Sequence, residues 1–188
     1  MVLPSPRPQL KYTYREYALI PEDGLRHELI EGEFYVTPSP TPFHQTASRR
    51  LQFALMQQLE VTGIALIFDA PTDLILDDHT VVVPDLMLVR STRKQSISKR
   101  GIEAPPDVVV EILSPSSKGN DQFLKKAVYA KFNIPEYWIV DPDLGTVAVF
   151  RLVDGQYQLA KKFYRPDILE SGEFPEVQIP LAPVFEPI

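Results

Sequence analysis

The sequence contains no cysteine among its 188 residues, which excludes disulfides, thiolate metal ligands and cysteine nucleophiles. It also lacks any apolar run that approaches the roughly 18 residues of a membrane span. The first ten residues, MVLPSPRPQL, carry no apolar core of the kind that a signal peptide needs. These absences predict a cytoplasmic protein that has no membrane partner.

An excess of positive charge is missing as well. The net charge is −6 and the pI is near 5.1, which argues against a surface covered in nucleic-acid-binding charge. One stretch differs, because between Val89 and Ile102 there are five basic residues and no acidic one: Arg90, Arg93, Lys94, Lys99 and Arg100. This basic stretch is either a solvated loop or a local patch that faces phosphates.

Strand patterns are more frequent than helix patterns in this chain. Two hairpins, with turns at Glu31-Gly32 and Asp154-Gly155, and a series of apolar segments predict a sheet. Helical spacing indicates helices near residues 43–62 and 120–132. The fold class is therefore α+β, close to α/β, with helices packed on a mixed sheet. We expect one domain over residues 1–188, with an N-terminal arm at 1–11 and a proline-rich tail at 164–188. The tail is expected to wrap the surface with one short edge strand.

The strand VVVEIL contains a single carboxylate, Glu111, among valine, isoleucine and leucine. Burying a polar group without a partner costs about 2–7 kcal/mol, and an isolated ionised carboxylate costs more. We therefore expect a cation or hydrogen-bond donors beside Glu111. This residue is interpreted as part of a site rather than of the scaffold.

The helix that follows places Asp121, Lys125 and Tyr129 four residues apart on one side. At about 100° per residue, Lys125 lies beside the apolar face and Lys126 points away from it. Lys125 is thus the lysine that can approach Glu111. Alternatively, Asp121 and Lys125 form only an ion pair along the helix, worth about 0.2–0.5 kcal/mol.

Asp85 is the second acid that the pattern singles out. It follows Pro84 and opens the apolar strand LMLV. Neighbouring strands lie about 4.8 Å apart, so Asp85 can approach Glu111 from an adjacent strand. Asp107 precedes Glu111 by four residues on the same strand, about 13 Å away, which is too far to share an ion.

Two carboxylates and a lysine form a coherent set for phosphodiester chemistry. The acids can hold Mg²⁺ or Mn²⁺ with several waters retained, and such an ion lowers the pKa of a bound water. The lysine can orient that water or neutralise charge on the phosphate.

Several motifs surround these residues: HELIEGEFYV, PSPTPFH, VVVPDLMLV, PPDVVVEILSPSS, DQFLKKAVY and IPEYWIVDP. Together they resemble the bacterial family of "putative restriction endonucleases", a branch of the PD-(D/E)XK nuclease superfamily. The resemblance extends from about Tyr14 to Ile179. It implies a restriction-endonuclease-like central mixed sheet flanked by helices, a Mg²⁺-dependent or Mn²⁺-dependent endonuclease activity, and DNA as the partner. The oligomeric state is open, and a homodimer is compatible with the sequence.

The resemblance also implies roles for particular residues. Asp85 matches the aspartate of the PD element and Glu111 matches the D/E position, and the main-chain carbonyl of Ile112 is a further metal ligand. The lysine position of the superfamily holds Leu113 here, and Lys125 matches a lysine that the branch carries on the following helix.

Two further positions match the family, and a third departs from it. Glu28 corresponds to an N-terminal acid that completes the metal shell, so the implied catalytic residues are Glu28, Asp85, Glu111 and Lys125. His44 matches a family histidine, although a histidine at a helix start is commonly a cap or a surface residue. Asn133 replaces a glycine, a mild change because asparagine tolerates the left-handed conformation after a helix.

Two hypotheses of different classes remain. The net charge and the missing lysine in the strand favour a non-catalytic DNA-binding or interaction module that retains the nuclease fold. The combination of three acids with Lys125 favours the enzyme. Without metal the acids should repel one another and raise at least one pKa, so that Asp85→Asn should raise the metal-free melting temperature.

Overall fold

The computed structural model describes residues 10–21, 23–37, 39–114 and 120–187, with only the backbone at 120–122. The described strands are β1 Arg26–Ile30, β2 Glu33–Thr37, β3 Ala65–Asp69, β4 Leu74–Asp77, β5 Thr80–Val82, β6 Leu86–Arg90, β7 Val108–Ile112, β8 Glu136–Asp141, β9 Thr146–Val153, β10 Gln156–Tyr164, β11 Ile168–Glu170 and β12 Gln178–Pro180. The helices are α1 Tyr14–Tyr17, α2 Pro42–Leu55, α3 Asn120–Lys131 and α4 Leu181–Val184, with a π-helical turn Met56–Glu60 after α2 and a 3₁₀ helix Ser91–Ser96. None of these helices is long and apolar enough to cross a membrane.

A six-stranded mixed sheet forms the centre of the fold, in the order β10-β9-β8-β7-β6-β3. Strands β7 and β8 are parallel and flank α3 in the chain, while the other neighbours are antiparallel. The predicted fold class, α+β with a central mixed sheet and flanking helices, is confirmed. A second, antiparallel sheet has the order β2-β1-β5-β4.

The central sheet is buried on both faces, which explains why β7 reads as an almost continuous apolar run. Val108, Val110 and Ile112 belong to the apolar cluster on the α2 side. Val109 belongs to the cluster on the α3 side. Because successive side chains alternate between faces, Glu111 falls on the same side as Val109, toward α3.

The turns close where the sequence predicts them. Glu31 and Gly32 between β1 and β2 have φ values of 51° and 85°, the left-handed pair that a tight hairpin requires. Asp154 and Gly155, with φ values of 50° and 75°, do the same between β9 and β10. Asn133 follows α3 with φ 57°, so this asparagine adopts the left-handed conformation that is common after a helix.

The tail does not wrap the surface, and that prediction is wrong. It forms two paired strands, β11 and β12, followed by α4. Leu169, Phe174, Ile179 and Leu181 are at most 1% exposed and belong to the cluster on the α2 side. The five prolines of the tail are exposed, whereas the apolar residues between them pack into the core. The arm lies mainly at residues 1–9, outside the described residues.

Much of the basic stretch is structural. Arg90 and Arg93 pair with the Asp107 carboxylate at 3.4 and 3.2 Å. Arg100 pairs with Glu103. Three of the five basic residues therefore meet carboxylates of the same chain, which weakens the interpretation of this stretch as a phosphate-binding patch.

Candidate active site

The register of the central sheet brings Asp85 and Glu111 together. Leu86 on β6 is paired with Val110 on β7, so the next step along both strands sets Asp85 opposite Glu111. Opposed residues of antiparallel strands have Cβ atoms about 4.5–5.5 Å apart. The two acids thus come from adjacent strands at one end of β7, as their positions in the sequence predict.

Asp85 is buried and held by three donors. Its Oδ2 accepts hydrogen bonds from the Ile112 N–H at 2.8 Å and from His44 Nε2 at 3.1 Å, and its Oδ1 accepts one from Arg26 Nη1 at 3.0 Å. Burial alone would raise the pKa of Asp85. The hydrogen bond and charge of His44, with the Arg26 charge and the Ile112 N–H, outweigh it and lower that pKa overall. The surroundings of Asp85 therefore favour its ionised form.

Glu111 has the opposite electrostatic environment. Burial, the largest influence, raises its pKa to about 7 against an ordinary value of 4.5. The charges of Asp85 and Glu28 add to the rise, while Lys125 and the Tyr129 hydrogen bond oppose it. Glu111 Oε1 accepts from the Tyr129 hydroxyl at 2.5 Å and from Lys125 Nζ at 3.2 Å. The folded protein thus keeps Glu111 close to the point where it gains or loses its proton near neutral pH.

Lys125 lies between Glu111 on β7 and Glu28 on β1 and contacts both carboxylates. Its Nζ lies 2.9 Å from Glu28 Oε1 and 3.2 Å from Glu111 Oε1, and its side chain is 4% exposed. Glu28 in turn accepts the Val83 N–H at 2.7 Å. Lys126 points elsewhere, with its Nζ 3.8 Å from the centre of the Phe150 ring. The helical spacing thus identified the lysine that faces the acids.

The alternative pairing within α3 requires Asp121, whose side chain lies outside the described residues. Lys125 contacts two carboxylates of other elements, as described above, so its environment does not depend on that pair. Glu28 binds Lys125 and a main-chain N–H in this structure, and its place in a metal shell stays a prediction.

The expected repulsion between the acids is only partly present. It contributes to the raised pKa of Glu111, as predicted. Asp85 is different, because its ionised form is stabilised by Arg26 and His44. These surroundings favour the opposite outcome for Asp85→Asn, a loss of metal-free stability, since the change removes a favourable charge from the Arg26 pair.

Sequence reasoning missed two residues of the site. Arg26 stands two positions before Glu28 on β1, and the two-residue period of a strand puts both side chains on one face; that signal was available. Tyr129 was placed on the same side of α3 as Lys125, but its hydrogen bond to Glu111 needs the packing of α3 on the sheet.

His44 is neither the cap nor a surface residue. The cap of α2 is Thr41, whose hydroxyl accepts the His44 N–H, and His44 is 6% exposed. Because a carboxylate can only accept, its bond to Asp85 requires the proton on Nε2. Within the described residues His44 Nδ1 has no hydrogen-bond partner.

The donor set suits a small hard cation. Among the described residues no group of three or more histidine, aspartate or glutamate side chains could hold a metal. Mg²⁺, however, is commonly bound by one or two carboxylates together with water and substrate phosphate. Continuing the β6–β7 register sets Pro84 opposite Ile112, and proline has no N–H to donate to the Ile112 carbonyl. The carboxylates of Asp85 and Glu111 and the Ile112 carbonyl are therefore suitable ligands for a Mg²⁺ ion.

Comparisons with known proteins identify the fold and the family of this chain. The crystal structure of a putative nuclease belonging to DUF820 from Anabaena variabilis ATCC 29413 aligns with a TM-score of 0.77 at 24% identity. The alignment covers 92% of this chain and 97% of that chain, so the two share a fold. Curated proteins give no match. Residues 14–182 match the family model Uma2, described as "Putative restriction endonuclease", and the chain belongs to this family.

Proposed function

We propose that this protein is a Mg²⁺-dependent or Mn²⁺-dependent endonuclease that hydrolyses phosphodiester bonds of DNA. The observation that carries the proposal is the buried ammonium of Lys125 at 3.2 Å from Glu111, next to the position at which the β6–β7 register, continued by one residue, sets Asp85. Membership of the family supports the same function.

In this proposal Asp85, Glu111 and the Ile112 carbonyl hold the cation. A divalent ion held there supplies a water of lowered pKa and positive charge beside the phosphate. Asp85 is fixed for this role by the Ile112 N–H and by His44. Both groups donate to Oδ2, which leaves Oδ1 with Arg26 as its partner.

Lys125 is assigned the role of orienting the attacking water or neutralising charge that develops on the phosphate. Glu28 keeps the ammonium in place from the other side at 2.9 Å. Leu113 occupies the lysine position of the superfamily, and the ammonium from α3 reaches Glu111 in its stead. The buried position of Lys125 makes it a fixed charge rather than a mobile surface one.

A non-catalytic DNA-binding or interaction module is the second candidate. The net charge of −6 favours it, because DNA binding depends largely on phosphate neutralisation. The buried acids of the site are paired with Lys125 and Arg26, and a charge network of this kind can also serve a purely structural role in such a module.

Cleavage of supercoiled plasmid in Mg²⁺, in Mn²⁺ and in chelator separates the two functions. The enzyme should cut with either metal and not with chelator. Lys125→Ala should lower the rate by about 100-fold or more, whereas the neighbouring Lys126→Ala should leave it near wild type. Circular dichroism of both variants shows whether they fold, and Asp85→Asn supplies a second inactive variant. Binding of DNA by the wild-type protein without metal-dependent cutting would favour the module.

A further inference from the structure

Arg26 is the most exposed of the charged residues that line the site. Its side chain is 19% exposed, compared with 4% for Asp85 and for Lys125 and 1% for Glu28. It shares a face of β1 with Glu28, which lies two residues further on. An approaching substrate therefore meets Arg26 before it meets the buried Lys125.

The guanidinium has donors to spare. Arginine carries five N–H donors in a planar fork, and within the described residues that of Arg26 makes one hydrogen bond, from Nη1 to Asp85 Oδ1 at 3.0 Å. Burial acts to lower the pKa of Arg26, but the charges of Asp85, Glu111 and Glu28 raise it overall. Arg26 is a permanent cation held by the field of all three acids.

Its position conflicts with that of a metal ion. A cation bound by Asp85 would compete with the guanidinium for Oδ1, and the two positive charges would repel each other. The other oxygen, Oδ2, already accepts from Ile112 and from His44. The oxygen at which an exchange can occur without breaking those two bonds is therefore the one that Arg26 holds.

We propose that Arg26 is a substrate-binding residue of this nuclease: its guanidinium leaves Asp85 when a divalent cation binds there and pairs with a non-bridging oxygen of the DNA phosphate. This inference rests on the proposed function. Arginine forks match phosphate oxygens closely and can bind two of them at once. In the metal-free protein Arg26 serves as the counter-ion of Asp85.

The charges of the site are consistent with this exchange. Among the described side chains other than His44, the carboxylates of Glu28, Asp85 and Glu111, when all are ionised, exceed the cations Arg26 and Lys125 by one negative charge. A divalent cation turns that excess into one positive charge. The phosphate of DNA, with one negative charge, then neutralises the site and gives the released guanidinium a partner.

Arg26→Gln tests the exchange through metal affinity and cleavage measured separately. The variant should bind Mn²⁺ about three- to tenfold more tightly than wild type in calorimetry, because the competing ion pair is gone. It should also cut a short DNA duplex about 100-fold more slowly. Arg26→Lys keeps the positive charge but not the planar fork of donors. Its Mn²⁺ affinity and its cleavage rate should both lie between those of wild type and of Arg26→Gln.

A matched control is Arg151→Gln, because Arg151 also pairs with a buried carboxylate, that of Glu136 at 3.5 Å. It should change neither Mn²⁺ affinity nor cleavage. If Arg26→Gln binds Mn²⁺ more weakly or cuts like wild type, the inference is overturned, and Arg26 only supports Asp85. If wild type neither binds Mn²⁺ nor cuts DNA, the proposed function itself fails. Melting in chelator shows that both Arg26 variants are folded.

Discussion

Two buried glutamates stand on neighbouring strands of the central sheet, and their surroundings differ. Glu136 begins β8 and is fully buried. Its carboxylate accepts from Trp138 Nε1 at 2.7 Å, from the Ser171 hydroxyl at 2.6 Å and from the Gly172 N–H at 2.7 Å. Glu111 near the end of β7 faces an ammonium, a phenol and another carboxylate instead.

The comparison shows that burial of an acid does not by itself indicate a functional site. Glu136 is satisfied mainly by neutral donors, two of which belong to the tail, so it fastens the tail to the sheet. Glu111 accepts hydrogen bonds from Lys125 and Tyr129, and the charges of Lys125, Asp85 and Glu28 act on its proton. The nature of the partners distinguishes a site from a structural carboxylate.

The largest difference should appear when the cationic partner is removed. Lys125→Ala leaves Glu28 and Glu111 buried without their shared ammonium, and loss of one partner of a buried pair costs about 3–5 kcal/mol. Arg151→Ala beside Glu136 should cost less than about 1 kcal/mol, because Arg151 is 55% exposed. Urea unfolding near pH 8 measures both. Equal losses would remove the distinction between the two glutamates.

The second difference concerns pH. The folded protein keeps the Glu111 proton up to about pH 7, whereas the unfolded chain loses it near 4.5. The folded state binds more protons in that window, so Glu111 lowers the free energy of unfolding as pH rises through it. Glu111→Gln removes this loss of stability. Between the two pKa values, the free energy of unfolding of the variant should rise relative to that of wild type by on the order of 3 kcal/mol.

Urea unfolding of both proteins at about pH 5, 6 and 8 checks the expected slope. Since the variant retains the Glu28–Lys125 pair, the comparison isolates Glu111. A difference between variant and wild type that is constant over this range contradicts the raised pKa.

A smaller effect is expected at the structural carboxylate. Glu136→Gln replaces one carboxylate oxygen with an NH₂ group, which cannot accept a hydrogen bond. Either the Gly172 N–H or the Trp138 and Ser171 donors then lose their acceptor, and an unsatisfied buried donor costs about 1–3 kcal/mol. Faster amide exchange in β11 and β12 should accompany the loss, while DNA cleavage at a permissive temperature stays unchanged. A loss of cleavage in this folded variant would mean that Glu136 is not merely structural.

Local patterns in the sequence predicted most of the elements before the tail and pointed to about half of the residues at the candidate site. An acid within an apolar strand indicated Glu111, the proline before an apolar strand indicated Asp85, and the angle around the helix separated Lys125 from Lys126. These signals depend on residues close together in the chain. Turn residues such as Asp154 and Gly155 likewise fixed the hairpins, because their backbone angles are a local property.

The rest required contacts between distant parts of the chain. Arg26 and His44 reach Asp85 from β1 and α2, 59 and 41 residues away in sequence, and no local period determines which strand they meet. Glu136 is the first residue of β8, and an acid at that position is easily interpreted as the polar residue that marks the start of a strand. The tail was misjudged because its prolines suggested a surface segment, while Leu169 and Phe174 fill the core.

Calorimetric titration of Mn²⁺ into wild type, Asp85→Asn and Glu136→Gln tests the central claim, that the Asp85–Glu111 pair is a cation site. Wild type and Glu136→Gln should bind the ion with the same affinity, and both should gain about 2.7 kcal/mol of stability at a hundredfold excess over the dissociation constant. Asp85→Asn should show no binding, no metal-dependent stabilisation, and a lower melting temperature than wild type in chelator. Binding of Mn²⁺ by Asp85→Asn with wild-type affinity would contradict the claim.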